Sequence, residues 1–143
     1  MKESLGEPGK TNITKLNLSN NPGLKFKSGI FIGDALTSNP DQPVRKLSFK
    51  NCNMREDGLT RILEACNKNK NIKSLHAGYV SLKGLKALGQ VLQDNDSLQK
   101  LKFQEDGNSK WDDSAKAQFI ELLKTNKCLE KVKFEPFDKK DDT

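Results

Sequence analysis

The side chains in this sequence that could carry nucleophilic or acid–base chemistry are few and scattered. His76 is the only histidine, and a histidine base needs a nucleophile and an orienting carboxylate within hydrogen-bond reach. Cys52 is the nearest candidate nucleophile, but it follows a strand pattern at a position whose side chain points into a turn. We therefore expect His76 to be exposed and non-catalytic, and we predict no catalytic residues and no enzyme activity.

Metal, cofactor and membrane sites are not predicted either. The acidic residues between positions 105 and 113 lack the spacing of a calcium loop, and no glycine-rich phosphate loop is present. The three cysteines are unclustered and odd in number, which argues against a disulfide framework and favours a reducing compartment. No run approaches the roughly 20 apolar residues of a membrane span. We expect no metal, no cofactor and a cytoplasmic location.

Positive charge is the chemical feature that distinguishes the chain. Its 143 residues carry a formal net charge of +6, and most of the positive charge is lysine. Lysine is a point charge without the bidentate fork with which arginine reads bases and phosphates. Stacking aromatics, which single-strand binding uses, are missing from the surface described below. The composition therefore favours an acidic protein surface as the partner over nucleic acid.

Five short segments that could position these lysines alternate apolar and polar residues, as half-buried strands do. The segments start between 26 and 31 residues apart, which is typical of a repeat architecture. Between them lie four apolar pairs at helical i, i+4 spacing. The strand segments begin at Ile13, Val44, Ile72, Leu98 and Leu129, and the helix pairs are Ile32 and Leu36, Ile62 and Cys66, Leu88 and Leu92, and Phe119 and Leu123.

An asparagine follows each helix pair by three residues, and we expect it to end the helix in the left-handed conformation. These asparagines are Asn39, Asn69, Asn95 and Asn126.

The alternation divides the strand residues into two sets. One set packs against the helices and forms the predicted core, which consists of Leu16, Leu18, Leu47, Phe49, Leu75, Leu101, Phe103 and Phe134. The other set lies on the opposite face of the strands. We predict that this second set binds the partner, and it contains Lys15, Lys46, Lys50, His76, Lys100, Lys102, Lys131 and Lys133.

The segment Ile13–Asn21, which reads ITKLNLSNN, resembles the leucine-rich repeat signature L-x-x-L-x-L-x-x-N. The second copy ends in Cys52, which the family also uses, whereas Val80 and Asp106 depart from the signature. The repeat length resembles the ribonuclease-inhibitor-like subclass, and the helix-to-strand joints are similar to tropomodulin and Ran GTPase-activating protein repeats. The resemblance implies a right-handed α/β solenoid with five parallel strands on the concave face and four helices on the convex face.

Repeats of this kind serve mostly as binding platforms, although a shared fold does not fix function. We expect a disordered arm over 1–11, a repeat domain over 12–137 and a disordered tail over 138–143. The leading hypothesis is a non-enzymatic interaction module that binds an acidic partner through its lysine-rich concave face. The alternatives are an actin-associated, tropomodulin-like regulator, a small-GTPase regulator and a fragment of a larger scaffold. Open edge strands at both ends also predict either weak self-association through an end or a longer arm that covers it.

Overall fold

Strands and helices alternate along the whole described chain. The computed structural model describes residues 13–21, 23–24, 26–106 and 111–135, so the predicted arm and tail lie outside the described residues. The elements in chain order are β1 (Lys15–Asn17), α1 (Phe26–Ser38), β2 (Lys46–Ser48), α2 (Arg55–Lys68), β3 (Ser74–Val80), α3 (Leu82–Asp94), β4 (Lys100–Glu105), α4 (Asp113–Leu123) and β5 (Lys131–Glu135).

The five strands form one parallel sheet in the order β1-β2-β3-β4-β5. Equivalent residues of successive repeats pair with each other, so Leu16, Leu47, Leu75 and Leu101 lie side by side in one row. All four are buried, because the alternating pattern turns the same face of every strand towards the helices. The predicted α/β architecture of five parallel strands and four helices is confirmed.

The helices pack in sequence order, α1 against α2, α2 against α3 and α3 against α4. Their buried residues join those of the strands in one continuous apolar core. Glycine lets the first two helices approach closely, since a Cβ added at Gly33 would lie 2.7 Å from the carbonyl carbon of Arg61. None of the helices that the structure describes is long and apolar enough to span a membrane.

Of the four predicted asparagine caps, Asn69 and Asn95 are present, but their conformation is not the expected one. The prediction for Asn126 is wrong, because the C-cap of α4 is Lys124. Asn69 has φ −98° and Asn95 has φ −76°, so both are extended rather than left-handed. Left-handed backbone occurs instead at Asn20 (φ 63°) and Asn51 (φ 61°), which follow strands, and at Arg55 (φ 59°), which begins α2. The reason is that the asparagine side chains, not a left-handed backbone, close the turn between helix and strand.

At the turn between helix and strand, the side-chain amide of the asparagine both accepts and donates hydrogen bonds. The Asn95 Oδ1 atom accepts hydrogen bonds from the backbone N–H groups of Ser97 (3.0 Å) and Leu98 (2.8 Å). Its Nδ2 atom reaches back one repeat and donates to the Oδ1 atom of Asn67 (2.6 Å). In the next repeat, the Asn126 Nδ2 atom donates to the backbone oxygen of Asn95 (2.9 Å). Asn69 likewise reaches the preceding repeat, because its Nδ2 atom donates to the backbone oxygen of Gln42 (3.2 Å). We call these three asparagines, each of which ties its joint to the preceding repeat, the asparagine ladder.

Two predicted core residues are less buried than expected, and both lie on the edge strands or next to them. Leu18 is half-buried and packs against the core, whereas Phe134 is 38% exposed. In the part of the chain that the structure describes, no strand follows β5, so the outer side of Phe134 has no cover. Its inner side still contacts Trp111, with ring centroids 4.9 Å apart.

Candidate interaction surface

The strand residues that face away from the helices form a lysine-rich surface, which we call the open face. The sheet register arranges them in two rows that cross all five strands. The first row is Lys15, Lys46, Ser74, Lys100 and Lys131, and the second is Asn17, Ser48, His76, Lys102 and Lys133. Lys50 follows β2 at the end of the same face.

The lysines are densest where the last two strands meet. Lys100 pairs with Lys131, and Lys102 pairs with Lys133, so four ammonium groups lie on two adjacent strands. Neighbouring strands are about 4.8 Å apart, and like charges placed opposite each other destabilise a sheet. All of these lysines except the half-buried Lys102 are exposed. The open face thus carries a cationic patch on β4 and β5.

Ion pairs among the described residues lie elsewhere. Arg61 pairs with Asp34, Lys70 with Asp96, and Lys124 with Glu121, all with exposed side chains. The positive charge of the open face is therefore not neutralised by direct ion pairs with the described acids.

His76 is buried, so the prediction of an exposed histidine is wrong. Only 8% of the residue is exposed, because it lies on the central strand between Ser48 of β2 and Lys102 of β4. Desolvation by this burial lowers the pKa of His76 to about 4. The carboxylate of Glu135 opposes that shift, whereas Lys50 and Lys102 add to it. The imidazole is therefore neutral at physiological pH.

The two ring nitrogens of His76 have different surroundings. The Nδ1 atom accepts a hydrogen bond from the backbone N–H of Gly78 (3.2 Å), so the proton of the neutral ring is on Nε2. That Nε2 atom is buried and has no hydrogen-bond partner among the described residues.

A polar bridge that the sequence pattern did not predict crosses the end of this face. The alternation of strand residues predicts that Gln104 lies on the open face, but the residue is buried. Its Oε1 atom accepts from the backbone N–H of Asn51 (2.8 Å), and its Nε2 atom donates to the Oδ1 atom of Asn51 (2.8 Å). The bridge links β4 to the turn after β2 and so spans β3, which lies between them.

The cysteine side chains have structural surroundings that explain their chemistry. Cys52 donates its S–H to the backbone oxygen of Leu18 (3.0 Å), which confirms its predicted role in the turn after β2. Burial raises the pKa of the Cys66 thiol to about 12, so this cysteine does not form the reactive thiolate. All three cysteines are free. Among the residues that the structure describes, no group of three or more acidic, histidine or cysteine side chains could hold a metal ion.

The acidic residues around the β4–α4 loop also have structural partners. A Glu105 oxygen, Oε2, accepts from the backbone N–H of Trp111 (3.0 Å), and Asp112 caps α4 by accepting from Ala115 N–H (2.7 Å). Trp111 is buried over the core and donates its indole N–H to the backbone oxygen of Val80 (3.0 Å).

This arrangement of parallel strands and helices is a leucine-rich-repeat-like α/β fold. The fold of this chain is similar to that of a solved structure named leiomodin-1 actin-binding site 2, with a TM-score of 0.79. That similarity covers 94% of this chain and 76% of the other, at 20% sequence identity. No protein-family model matches the sequence, and no curated protein matches it. A similarity at this level of identity establishes the fold.

Proposed function

We propose that the chain is a non-enzymatic protein-interaction domain whose open face binds an acidic segment of a partner protein. The observation that carries the proposal is the paired arrangement of Lys100 with Lys131 and of Lys102 with Lys133. Side-by-side lysines cost free energy in the unbound sheet, and an anionic partner relieves that cost. A row of carboxylates on an extended segment suits this surface, because ammonium groups act as point charges with flexible stems.

A second observation favours actin as that partner. The solved structure of leiomodin-1 actin-binding site 2 has the same fold over nearly all of this chain. We therefore name actin as the first protein to test. A small-GTPase partner stays a prediction from the sequence resemblance, as do the ribonuclease-inhibitor-like subclass and a scaffold origin. The three free cysteines support the proposal of a reducing, cytoplasmic location.

The test uses charge reversal on the open face. Lys100→Glu with Lys131→Glu should weaken binding to an acetylated hexaglutamate peptide, chiefly through the association rate. Binding by the wild type should also weaken as salt rises, because the Debye length falls from roughly 30 Å at 0.01 M to about 10 Å at 0.1 M. Both positions are exposed, so stability should change little.

A matched control reverses two exposed lysines of helix α3, Lys83→Glu with Lys86→Glu, which changes the net charge equally. Equal loss of binding in both double variants would show that only net charge matters and would refute the proposal for the open face. Cosedimentation with filamentous actin, using the same two variants, tests actin separately. Wild-type protein that stays in the supernatant would exclude filaments as the partner while leaving the peptide result intact.

A further inference from the structure

His76 contains a hydrogen-bond donor that the fold itself does not use. Its Nε2 atom is shielded from water and has no partner among the described residues. Buried donors are almost always paired, since an unpaired one loses its hydrogen bonds to water and gains nothing in return. A donor of this kind on the open face calls for an acceptor that comes from outside.

The structural task of His76 needs only its other nitrogen. Asn17 occupies the matching place in the first repeat, since Asn17 pairs with Ser48 and Ser48 pairs with His76 across the sheet. The Asn17 Oδ1 atom accepts from the backbone N–H of Ser19 (3.0 Å), two residues on. His76 Nδ1 accepts from Gly78 N–H, also two residues on. An asparagine therefore performs the same local task with a smaller side chain and without the Nε2 donor.

The charges around His76 favour an anion. The groups whose charges act on the imidazole are Lys50, Lys102 and Glu135. Lys102 pairs with His76 on one side, and Lys50 follows the β2 neighbour Ser48 on the other side, so lysines flank the imidazole on both neighbouring strands. Glu135 is the one carboxylate among these charged groups, and the β4–β5 lysines extend the positive region beyond them. One N–H donor between two ammonium groups suits the two oxygens of a carboxylate, which accept strong, charge-assisted hydrogen bonds.

We propose that His76 Nε2–H donates to a carboxylate of the bound acidic segment, with Lys50 and Lys102 on either side of that carboxylate. This inference rests on the proposed function, because it specifies how one acidic side chain is held on the open face. Lysine side chains are long and flexible, so the ammonium groups of Lys50 and Lys102 can move to either side of a carboxylate that reaches the imidazole. The long-range attraction comes from the lysines, and the directional contact comes from His76.

The experiment exploits the fact that the chain contains one histidine. In ¹⁵N-labelled full-length protein, long-range ¹H–¹⁵N correlation reports the two imidazole nitrogens of His76 without ambiguity. Acetylated hexaglutamate should shift the Nε2 signal and raise the pKa of His76, because an anion at Nε2 stabilises the imidazolium. The variant H76N should bind the peptide about tenfold more weakly than the wild type, as expected for loss of one hydrogen bond to a charged group.

Three further measurements separate this inference from the proposed function. Full peptide affinity in H76N, together with lost affinity in the Lys100→Glu and Lys131→Glu variant, would overturn the role of His76 and leave the open face as the binding surface. A wild type that does not bind hexaglutamate at low salt, with an unmoved Nε2 signal, would refute both. A shift of Nε2 with inorganic phosphate but not with the peptide would overturn the carboxylate assignment.

Glu135 provides the internal control. If its carboxylate were the acceptor in solution, Glu135→Gln would shift the Nε2 signal of the free protein, and the peptide would then leave that signal unchanged. This pair of results would overturn the inference. A free-protein signal that is unaffected by Glu135→Gln and still responds to the peptide supports it.

Discussion

His76 has a structural role in the sheet that is separate from the partner contact proposed for it. Its Nδ1 atom fixes the backbone at Gly78, which has φ 75° and follows directly after Ala77 in β3. Glycine is needed at that position, because a Cβ there would lie 2.3 Å from the backbone oxygen of Phe49. The histidine therefore supports the strand where the register between β3 and β4 shifts.

The low pKa of His76 makes stability depend on pH. Its value is about 4 in the folded protein, against an ordinary value of 6.5 for the unfolded chain. Between these two values the unfolded state binds more protons, so the free energy of unfolding falls as pH drops from about 6.5 to about 4. Thermal unfolding across this range should show a steeper loss for the wild type than for H76N. Parallel curves for the two proteins would contradict the burial of the imidazole.

In the asparagine ladder, single side chains should also contribute measurably to stability. Asn95 is 4% exposed and satisfies two backbone N–H groups at its joint. We predict that Asn95→Ala lowers the free energy of unfolding by roughly 1–3 kcal/mol, because buried donors lose their acceptor. Urea unfolding measures the change.

Asn21→Ala serves as the control, because Asn21 is exposed and water can replace its contacts. Similar losses in the two variants would show that burial of the joint is not the cause.

At the scale of the element, β3 and β5 differ although their sequences follow the same pattern. Leu75 and Val132 occupy the same row, yet Leu75 is 1% exposed and Val132 is 39% exposed. The difference comes from neighbours, since β3 has a strand on each side and β5 has one strand beside it in the described part of the chain.

This difference gives a paired prediction. Leu75→Ala should cost roughly 2–5 kcal/mol of unfolding free energy, as other buried leucine truncations do. Val132→Ala should cost less than about 1 kcal/mol, because much of the side chain already contacts water. Chemical denaturation of both variants measures the two values. A loss below about half a kcal/mol for Leu75→Ala would mean that the buried row is assigned to the wrong residues.

The sequence predicted most of these elements because each repeat encodes its own strand and helix. The lysine rows were also predictable, since equal repeats stack with equivalent residues side by side. The burial of His76 was not, because it depends on side chains of β2 and β4 that are distant in sequence. The bridge between Asn51 and Gln104 joins residues 53 positions apart, and no local pattern records it. The exposure of Phe134 was missed because a repeat does not show where its stack ends.

At the scale of the whole molecule, the sheet has two edges in the described chain, β1 and β5. Within the residues that the structure describes, β5 has no strand on its outer side, and it carries Val132 and Phe134, which are 39% and 38% exposed. Such edges pair readily with other chains. Lys131 and Lys133 on β5 already weaken this tendency, and a further lysine in place of an apolar edge residue should weaken it more.

We therefore predict weak self-association through the β5 edge. Light scattering at increasing concentration should show it in the wild type, and Val132→Lys should reduce it. Ile120→Lys is the matched control, because Ile120 is 55% exposed but lies on helix α4, away from the strand edge. A wild type that stays monomeric throughout, or an equal effect of both lysine variants, would contradict the prediction.

The Gln104–Asn51 bridge also has a consequence for the response of the protein to mechanical force. A stack of parallel strands that is pulled from its two ends can peel apart one strand at a time, because each strand is hydrogen-bonded only to its neighbours. The bridge ties β4 to the turn after β2, with β3 held between them. Under tension, β1 and β5 should therefore detach first. The three central strands should then yield together as a single, more resistant block.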